Sequence, residues 1–405
     1  MKALRALFAR PLFLALGLTA TVGVSMLLTT PYPMDDHFLY QKFIERLAGG
    51  RLDLTIPGFH GQNFIAVPWY WVTRSPLTQI HVQMLSGALL PLLSYFAAKS
   101  LFRSATQGLL FAAIIAMMPF LSFSSLRGWM VATYTLYLLL AVILLARRSR
   151  WAALPWGFAM IALPFAAALL PLFLSFPPQR GSFLRRYWHV IAAFAVPALY
   201  ILIQFLQAGR IIVGAHADEF TAASIWSGPT RIFLNAGHAV QMLFSIHNYY
   251  FPDPAKTALG NMMHTTPVLV FLGIWAFLSW RDFFEDRRLP FALALGFLIG
   301  IGMNVAIDHM DHFYMETGVL LIILAALPVL VRHPLWIPVV LGTLHFQWFY
   351  FFLQFRGVFA LGPSFFLTPL AVDLLFVLYC LANGREVFVH LRSLISAAPR
   401  GGTGA

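Results

Sequence analysis

Asp35 and Asp36 stand side by side in the stretch Pro-Tyr-Pro-Met-Asp-Asp-His-Phe-Leu-Tyr, just past a long apolar run. The chain has only 15 Asp and Glu in 405 residues, so an adjacent pair is a concentrated use of a scarce residue type. Near apolar segments a carboxylate is costly unless it faces water, pairs with another group or does chemistry. A carboxylate at such a boundary can act as a general base, taking a proton from a hydroxyl or amine. Two adjacent carboxylates repel, which raises the pKa of one or favours a bound cation. Asp ahead of an apolar periodic helix is also a helix-start signal, and one residue can serve both roles.

Further groups of the same kind follow. Tyr40 lies a few residues on. The run Phe59-His60-Gly61-Gln62-Asn63-Phe64 leads into Val67-Pro68-Trp69-Tyr70-Trp71. Amides and imidazole suit sugar hydroxyls, and aromatic rings suit apolar sugar faces; Trp and Tyr also concentrate at membrane interfaces without binding anything. His60, Gln62 and Asn63 are candidate substrate contacts. The stretch Asp308-His309-Met310-Asp311-His312-Phe313-Tyr314 adds His309, His312 and Tyr314. Its oxygen and imidazole groups suit a divalent metal ion, but the spacing matches no strong zinc motif and HExxH is absent. Arg127 and Arg210 are candidate cations for a phosphate head-group, or cations snorkelling to the interface. Asp373 sits inside an apolar run and is expected to face the bundle interior.

These groups must be held by membrane-spanning helices. The chain is 60% hydrophobic and 10% charged, with mean hydropathy +0.77, whereas a soluble domain carries roughly 25% charged residues. Apolar runs near span length recur at 11–30, 80–102, 106–123, 129–146, 187–208, 266–280, 289–307, 317–332, 334–353 and 364–384. Met1 to Arg10 is basic and could mimic a signal peptide, but no clear small-residue cleavage site follows, so 11–30 reads as a retained first span. Segment 151–176 is apolar, yet Arg147, Arg148 and Arg150 precede it and Arg180, Arg185 and Arg186 follow it. It also contains Pro155, Pro164 and Pro171, and proline breaks helices. It reads as two half-helices that dip in and return, keeping both basic clusters on one side. Such a backbone is tolerated only where protein buries it.

With the N-terminus inside, most Lys and Arg are cytoplasmic, as the positive-inside rule expects. Most acids fall outside, and that separate bias marks the external face as the place where carboxylates are used. The net charge of +12 therefore reflects topology, and no nucleic-acid partner is expected. A single cysteine, Cys380, excludes an intrachain disulfide and a cysteine-based metal site. No Asn-x-Ser/Thr acceptor occurs. The expected organisation is one transmembrane domain over 1–384, with a first external loop at 31–79, a second at 209–265 and a cytoplasmic tail at 385–405. The first loop begins with a surface helix: Leu39, Phe43 and Leu47 recur at helical spacing, Gln41, Lys42, Glu45 and Arg46 face water, and Gly49-Gly50 ends it. The fold class is all-α, a polytopic transmembrane helix bundle of about ten full spans plus one re-entrant half-helix pair.

A first span, an acidic pair, an amphipathic surface helix and a large external loop closed by a second span together resemble the GT-C superfamily of polytopic glycosyltransferases. The group in question includes protein O-mannosyltransferases and the aminoarabinose transferases of lipid A. The segment from His81 to Phe102 is similar to the second span of those enzymes, and the broken segment 151–176 has its counterpart there. His312-Phe313-Tyr314 falls where many members carry Arg-Tyr. The resemblance covers roughly residues 10–350, mostly as layout. The second acid is Asp rather than Glu, the broken segment lacks a frequent Lys, and His312 stands in place of Arg.

The resemblance implies transfer of a sugar from a polyprenyl-phosphate-linked donor to a lipid, glycan or protein acceptor on the external face of a bacterial inner membrane. It implies Asp35 as base or acceptor-orienting group, with Asp36 beside it. No cofactor is implied with certainty, a divalent metal ion being an option. Two other functions fit an apolar polytopic chain: a transporter or flippase of a lipid-linked saccharide, and a non-catalytic partner of GT-C type. A transporter is expected to show symmetric halves with broken helices in both, and this sequence shows one clear broken segment.

Overall fold

The computed structural model describes residues 10–31, 33, 37–58, 60–177, 182–211, 229–244, 266–306, 316–355 and 362–382. Among these no strand occurs. The helices are α1 (Pro11–Leu28), α2 (His37–Ala48), α3 (Ala66–Thr73), α4 (Thr78–Phe102), α5 (Ala105–Ala116), α6 (Pro119–Arg127), α7 (Val131–Ala146), α8 (Ala153–Ala162) and α9 (Leu170–Ser175). They continue as α10 (Phe183–Ala208), α11 (Pro229–Phe244), α12 (Pro267–Leu278), α13 (Trp280–Phe283), α14 (Arg288–Ala306), α15 (Glu316–Arg332), α16 (Trp336–Phe355) and α17 (Leu367–Ala382). Each predicted apolar segment forms helix over most of its described length. By length and composition four can cross a membrane alone, namely α1, α4, α10 and α16, and the pair α5–α6 makes a fifth if it counts as one span. The rest are shorter apolar helices.

α4 is the hub of the first half and packs against α1, α5 and α7. In the second half α15 plays that part, between α12 and α14, with residues such as Ile322, Ile323, Ala325 and Leu327 wholly buried. The broken segment joins the halves: α8 packs on α7 and α10, and the stretch after the break packs on α14.

Two prolines set the shape of the bundle. Proline disfavours helical geometry in the residue before it. Leu163, before Pro164, is extended at φ −149° and ψ 119° and ends α8. Met118, before Pro119, has φ −82° and ψ 105°, and α5 and α6 meet at a 55° bend. The second break was not expected; the sequence shows an uninterrupted apolar run at 106–123, and its signal is Pro119 itself. Pro155 and Pro171 lie in the first turns of α8 and α9, where the missing N–H costs nothing.

Segment 151–176 folds back on itself. Trp156 stacks on Phe173 with ring centroids 3.9 Å apart, whereas in a continuous helix 17 residues rise roughly 25 Å. Trp156 Nε1 also donates to the Ala166 carbonyl at 2.7 Å, across the break. Arg150 and Trp151 line one cavity with Trp188 and Ala192 of α10. The segment preceding the fold-back and the helix following it therefore start at the same end of the bundle, as the two basic clusters require.

Three local expectations change. Gln41 is buried rather than facing water. α11, within the expected external loop, is an amphipathic helix; its Asn235 Nδ2 donates to the Val305 carbonyl at 3.1 Å, and Phe233 and Val240 stay exposed. Asp373 does not face the interior fully: its side chain is 49% exposed. Its partner is His345 of α16, with Nε2 2.9 Å from Oδ2. His345 Nδ1 lies 2.7 Å from the Leu341 carbonyl and donates there.

The fold-back predicts a labelling pattern. In a Cys380→Ala background, single cysteines at Ser149 and Arg185 should react with an impermeant thiol reagent from the same side of sealed vesicles, and a cysteine at Leu52 from the other. Opposite reactivity at 149 and 185 would contradict the arrangement.

Candidate functional site

Among the described residues, polar side chains concentrate at the end of the bundle that carries the first loop. Gln79, Gln83 and Ser86 recur on one face of α4 and are all buried. Gln83 Oε1 accepts from the Thr133 backbone N–H at 3.1 Å, Ser86 Oγ meets Thr133 Oγ1 at 3.0 Å, and Tyr134 is hydrogen-bonded to Thr317 of α15. Their spacing of four and three residues on an otherwise apolar helix was legible in the sequence and went unread there.

The first loop is closed at its base. His37, the first residue of α2, is 2% exposed; its Nδ1 meets Gln79 Oε1 at 3.1 Å and its Nε2 meets the Pro76 carbonyl at 3.2 Å. Gln41 donates to Glu45 and to the Ser75 carbonyl and accepts from the Gln79 backbone. The two ends of a loop of some forty residues are thus pinned together, which removes most of its freedom.

Its middle is fixed by backbone-to-backbone packing. A Cβ on Gly61 would lie 2.3 Å from Ala162 N and 2.5 Å from the Phe158 carbonyl. Only glycine lets the loop seat on the end of α8 at Leu163. Tyr137 donates to the Gly61 carbonyl at 3.2 Å.

The predicted site residues divide into three groups. Asp35, Asp36, His309, His312 and Tyr314 lie outside the described residues. Tyr40, His60, Gln62 and Asn63 turn inward, each at most 2% exposed. His60 Nε2 donates to the Ile56 carbonyl at 2.8 Å, which leaves Nδ1 to accept from Asn63 Nδ2 at 3.1 Å. The ring also stacks flat on Phe43 at 4.0 Å and meets the edge of Tyr40. These residues form the loop's own core. Trp69 and Trp71 remain exposed, as an interfacial belt would be.

The arginines form the third group. Arg127 is buried at the C-terminus of α6, where a cation suits the helix dipole; its guanidinium lies 5.1 Å from the Trp129 ring and 5.6 Å from that of Phe123. Arg210 is exposed just beyond α10. Close to that helix end, an open cavity of about 410 Å³ is lined by Arg46, Arg51, Asp53, Thr55 and Gln207. Arg46 is paired with Asp53, and Gln207 donates to the Leu52 carbonyl at 2.7 Å. This cationic recess was not foreseen. A separate cavity between α1, α5, α15, α16 and α17 has apolar walls apart from Thr106. Among the described residues no three His, Cys, Asp or Glu side chains cluster as a metal site would need; the stretch 308–312 is outside them.

No family model and no curated protein matches the sequence. A structural likeness exists to the crystal structure of ArnT from Cupriavidus metallidurans bound to undecaprenyl phosphate. The identity is 14%, the TM-score is 0.51, and the match covers 91% of this chain and 76% of that one. The chain shares the helical fold of that protein. At this identity the likeness extends to the fold and no further.

Burial lowers the His60 pKa from 6.5 to about 4, against a raising contribution from the Ile56 bond. The sign follows directly. Between those two values the unfolded loop binds a proton that the folded loop refuses, so stability is lost as pH falls from 6.5 to about 4 and is flat above that window. The whole loss is about 3 kcal/mol. The thermal midpoint of wild-type protein should therefore drop more between pH 7.5 and 4.5 than that of His60→Gln. Parallel pH curves for the two proteins would show that His60 is not neutral and buried in solution.

Proposed function

We propose that the protein is a membrane glycosyltransferase moving a sugar from a polyprenyl-phosphate-linked donor to an acceptor at the external, periplasmic face of a bacterial inner membrane. The observation that carries this reading is the GT-C fold, shared over nine tenths of the chain with a protein solved in complex with undecaprenyl phosphate. The first loop supports it. It is seated on the bundle through Gly61 and His37, so that the segment entering α2 from Asp35 and Asp36 is anchored at its first described residue.

In the proposed reaction Asp35 takes the proton of an acceptor hydroxyl or amine. The freed lone pair attacks the anomeric carbon, and the bond from that carbon to the phosphate oxygen breaks. Polyprenyl phosphate leaves with the electron pair, and a new glycosidic bond to the acceptor remains. Arg127, held between two aromatic rings, is the candidate cation for the phosphate. Asp36 tunes its neighbour. The single transmembrane domain over 1–384, the two external loops and the remaining site residues belong to this same proposal.

The transporter reading gains less support. Among the described residues the helix breaks at Pro119 and Pro164 fall in one half of the chain, whereas alternating-access folds of the repeat type break helices in both halves.

The test is turnover in proteoliposomes of undecaprenyl-phosphate-linked mannose, glucose, galactose and aminoarabinose, with total envelope lipid as the acceptor. Wild-type protein should release undecaprenyl phosphate from one of them. Asp35→Asn should lower turnover by about 10²–10⁴-fold without loss of thermal stability, because Asn caps a helix as well as Asp does. Asp36→Asn should cost less. Asp282→Asn, on an exposed residue of the short helix α13, should act as wild type. A stable Asp35→Asn protein with full turnover would remove the catalytic assignment and favour transport or a non-catalytic role.

A further inference from the structure

We propose that Gln79 is a positioning residue, clamping His37, the residue that follows the acidic pair in sequence, to the Arg127–Gly128 corner; this rests on the catalytic reading of Asp35.

Gln79 is 1% exposed in the first turn of α4. A buried carboxamide is costly unless every polar atom finds a partner, and here each partner comes from a different element. Oε1 faces His37 Nδ1, Nε2 donates to the Gly128 carbonyl, and the backbone N–H donates to Gln41 Oε1 at 3.3 Å. The corner is close-fitting. Gly128 has φ +75°, and a Cβ there would lie 2.4 Å from Gln79 Oε1 and 2.9 Å from Ile80 Cγ1. Glycine is required twice over, for its backbone conformation and for space.

The clamp has a direction. Reversing the carboxamide would set its oxygen against the Gly128 carbonyl, so the donor must point there and Oε1 must point at His37. His37 then has an oxygen acceptor at each ring nitrogen, Gln79 Oε1 at one and the Pro76 carbonyl at the other. In sequence His37 directly follows Asp36, and Gly128 directly follows the buried Arg127. Gln79 thereby ties together two anchor points, the residue next to the acids and the residue next to the proposed phosphate cation.

Gln79→Met keeps the length of the side chain and removes both polar contacts. Assayed with whichever donor of the panel wild type consumes, it should lose about 100-fold in kcat, the cost of a displacement near 1 Å. KM for the donor should stay within about twofold, while the thermal midpoint should fall modestly, since the His37 ring and the Gly128 carbonyl lose a partner in the interior. Asp35→Asn combined with Gln79→Met should be no slower than Asp35→Asn alone, since residues acting as a unit are not additive. His37→Gln breaks the clamp from the other side and should show the same kcat loss, which covers the case of a Gln79→Met protein that fails to fold. Normal kcat in either variant, while Asp35→Asn is inactive, overturns the positioning role and leaves the catalytic one standing. Full activity of Asp35→Asn removes the reading on which this one rests. A double variant slower than Asp35→Asn by a further factor of 100 would mean that Gln79 acts elsewhere.

Discussion

A helix broken inside an apolar bundle exposes carbonyl groups that hydrocarbon cannot solvate, and this fold depends on how those groups are satisfied. An unpaired backbone group costs several kcal/mol in lipid, whereas a hydrogen bond between membrane helices contributes only about 0.6 kcal/mol on average. The penalty for leaving a break unpaired thus outweighs the gain from any one added bond. At the bend between α5 and α6 the Met117 carbonyl receives Trp348 Nε1 at 2.6 Å, from a helix 231 positions away in sequence. Where α8 ends, Trp156 reaches across to Ala166, and Tyr137 of α7 donates to the Gly61 carbonyl of the loop seated there. Each break is closed by an aromatic side chain that also fills space. The breaks are therefore rigid corners, and elements seated on them inherit that rigidity.

The first loop is the main beneficiary. Its own apolar clusters are small: Phe43, Leu54 and Ile56 form one, and Ile44, Ala66 and Val67 form another with Val82 of α4. Its order comes from three attachments: Gly61 on the end of α8, His37 and Gln41 on the start of α4, and the backbone of Leu52 and Leu54 on Gln207 of α10. His37, the first described residue at the entry to the loop, is thereby fixed to the bundle. The inward residues His60, Gln62 and Asn63 add to that order, while Arg46, Arg51 and the exposed aromatics of α3 stay at the surface.

His345 and Asp373 answer the same solvation problem by pairing. Midway along α16 and α17, each group would be expensive alone in hydrocarbon. The Leu341 carbonyl accepts from Nδ1, so Nε2 is aimed at the carboxylate across the gap. The pair links two peripheral helices that otherwise share few contacts.

By itself the sequence determined where the apolar helices run, that segment 151–176 folds back, and that a helix opens the first loop. Each of these is written in local pattern: hydrophobic spacing, proline, and basic clusters beside spans. Pro119 and the polar face of α4 were equally local and could have been read. What only the tertiary structure decided is which polar group meets which. Gln41 and His60 sit on segments whose pattern suits exposure, yet both are buried, because their partners are Gln79, 38 positions away, and the stacked ring of Phe43. The partner of Asp373 lies 28 positions before it. A polar residue's pattern of neighbours in sequence shows that it must be satisfied; only the packing of distant elements determines by what, and therefore whether it faces a ligand or the core.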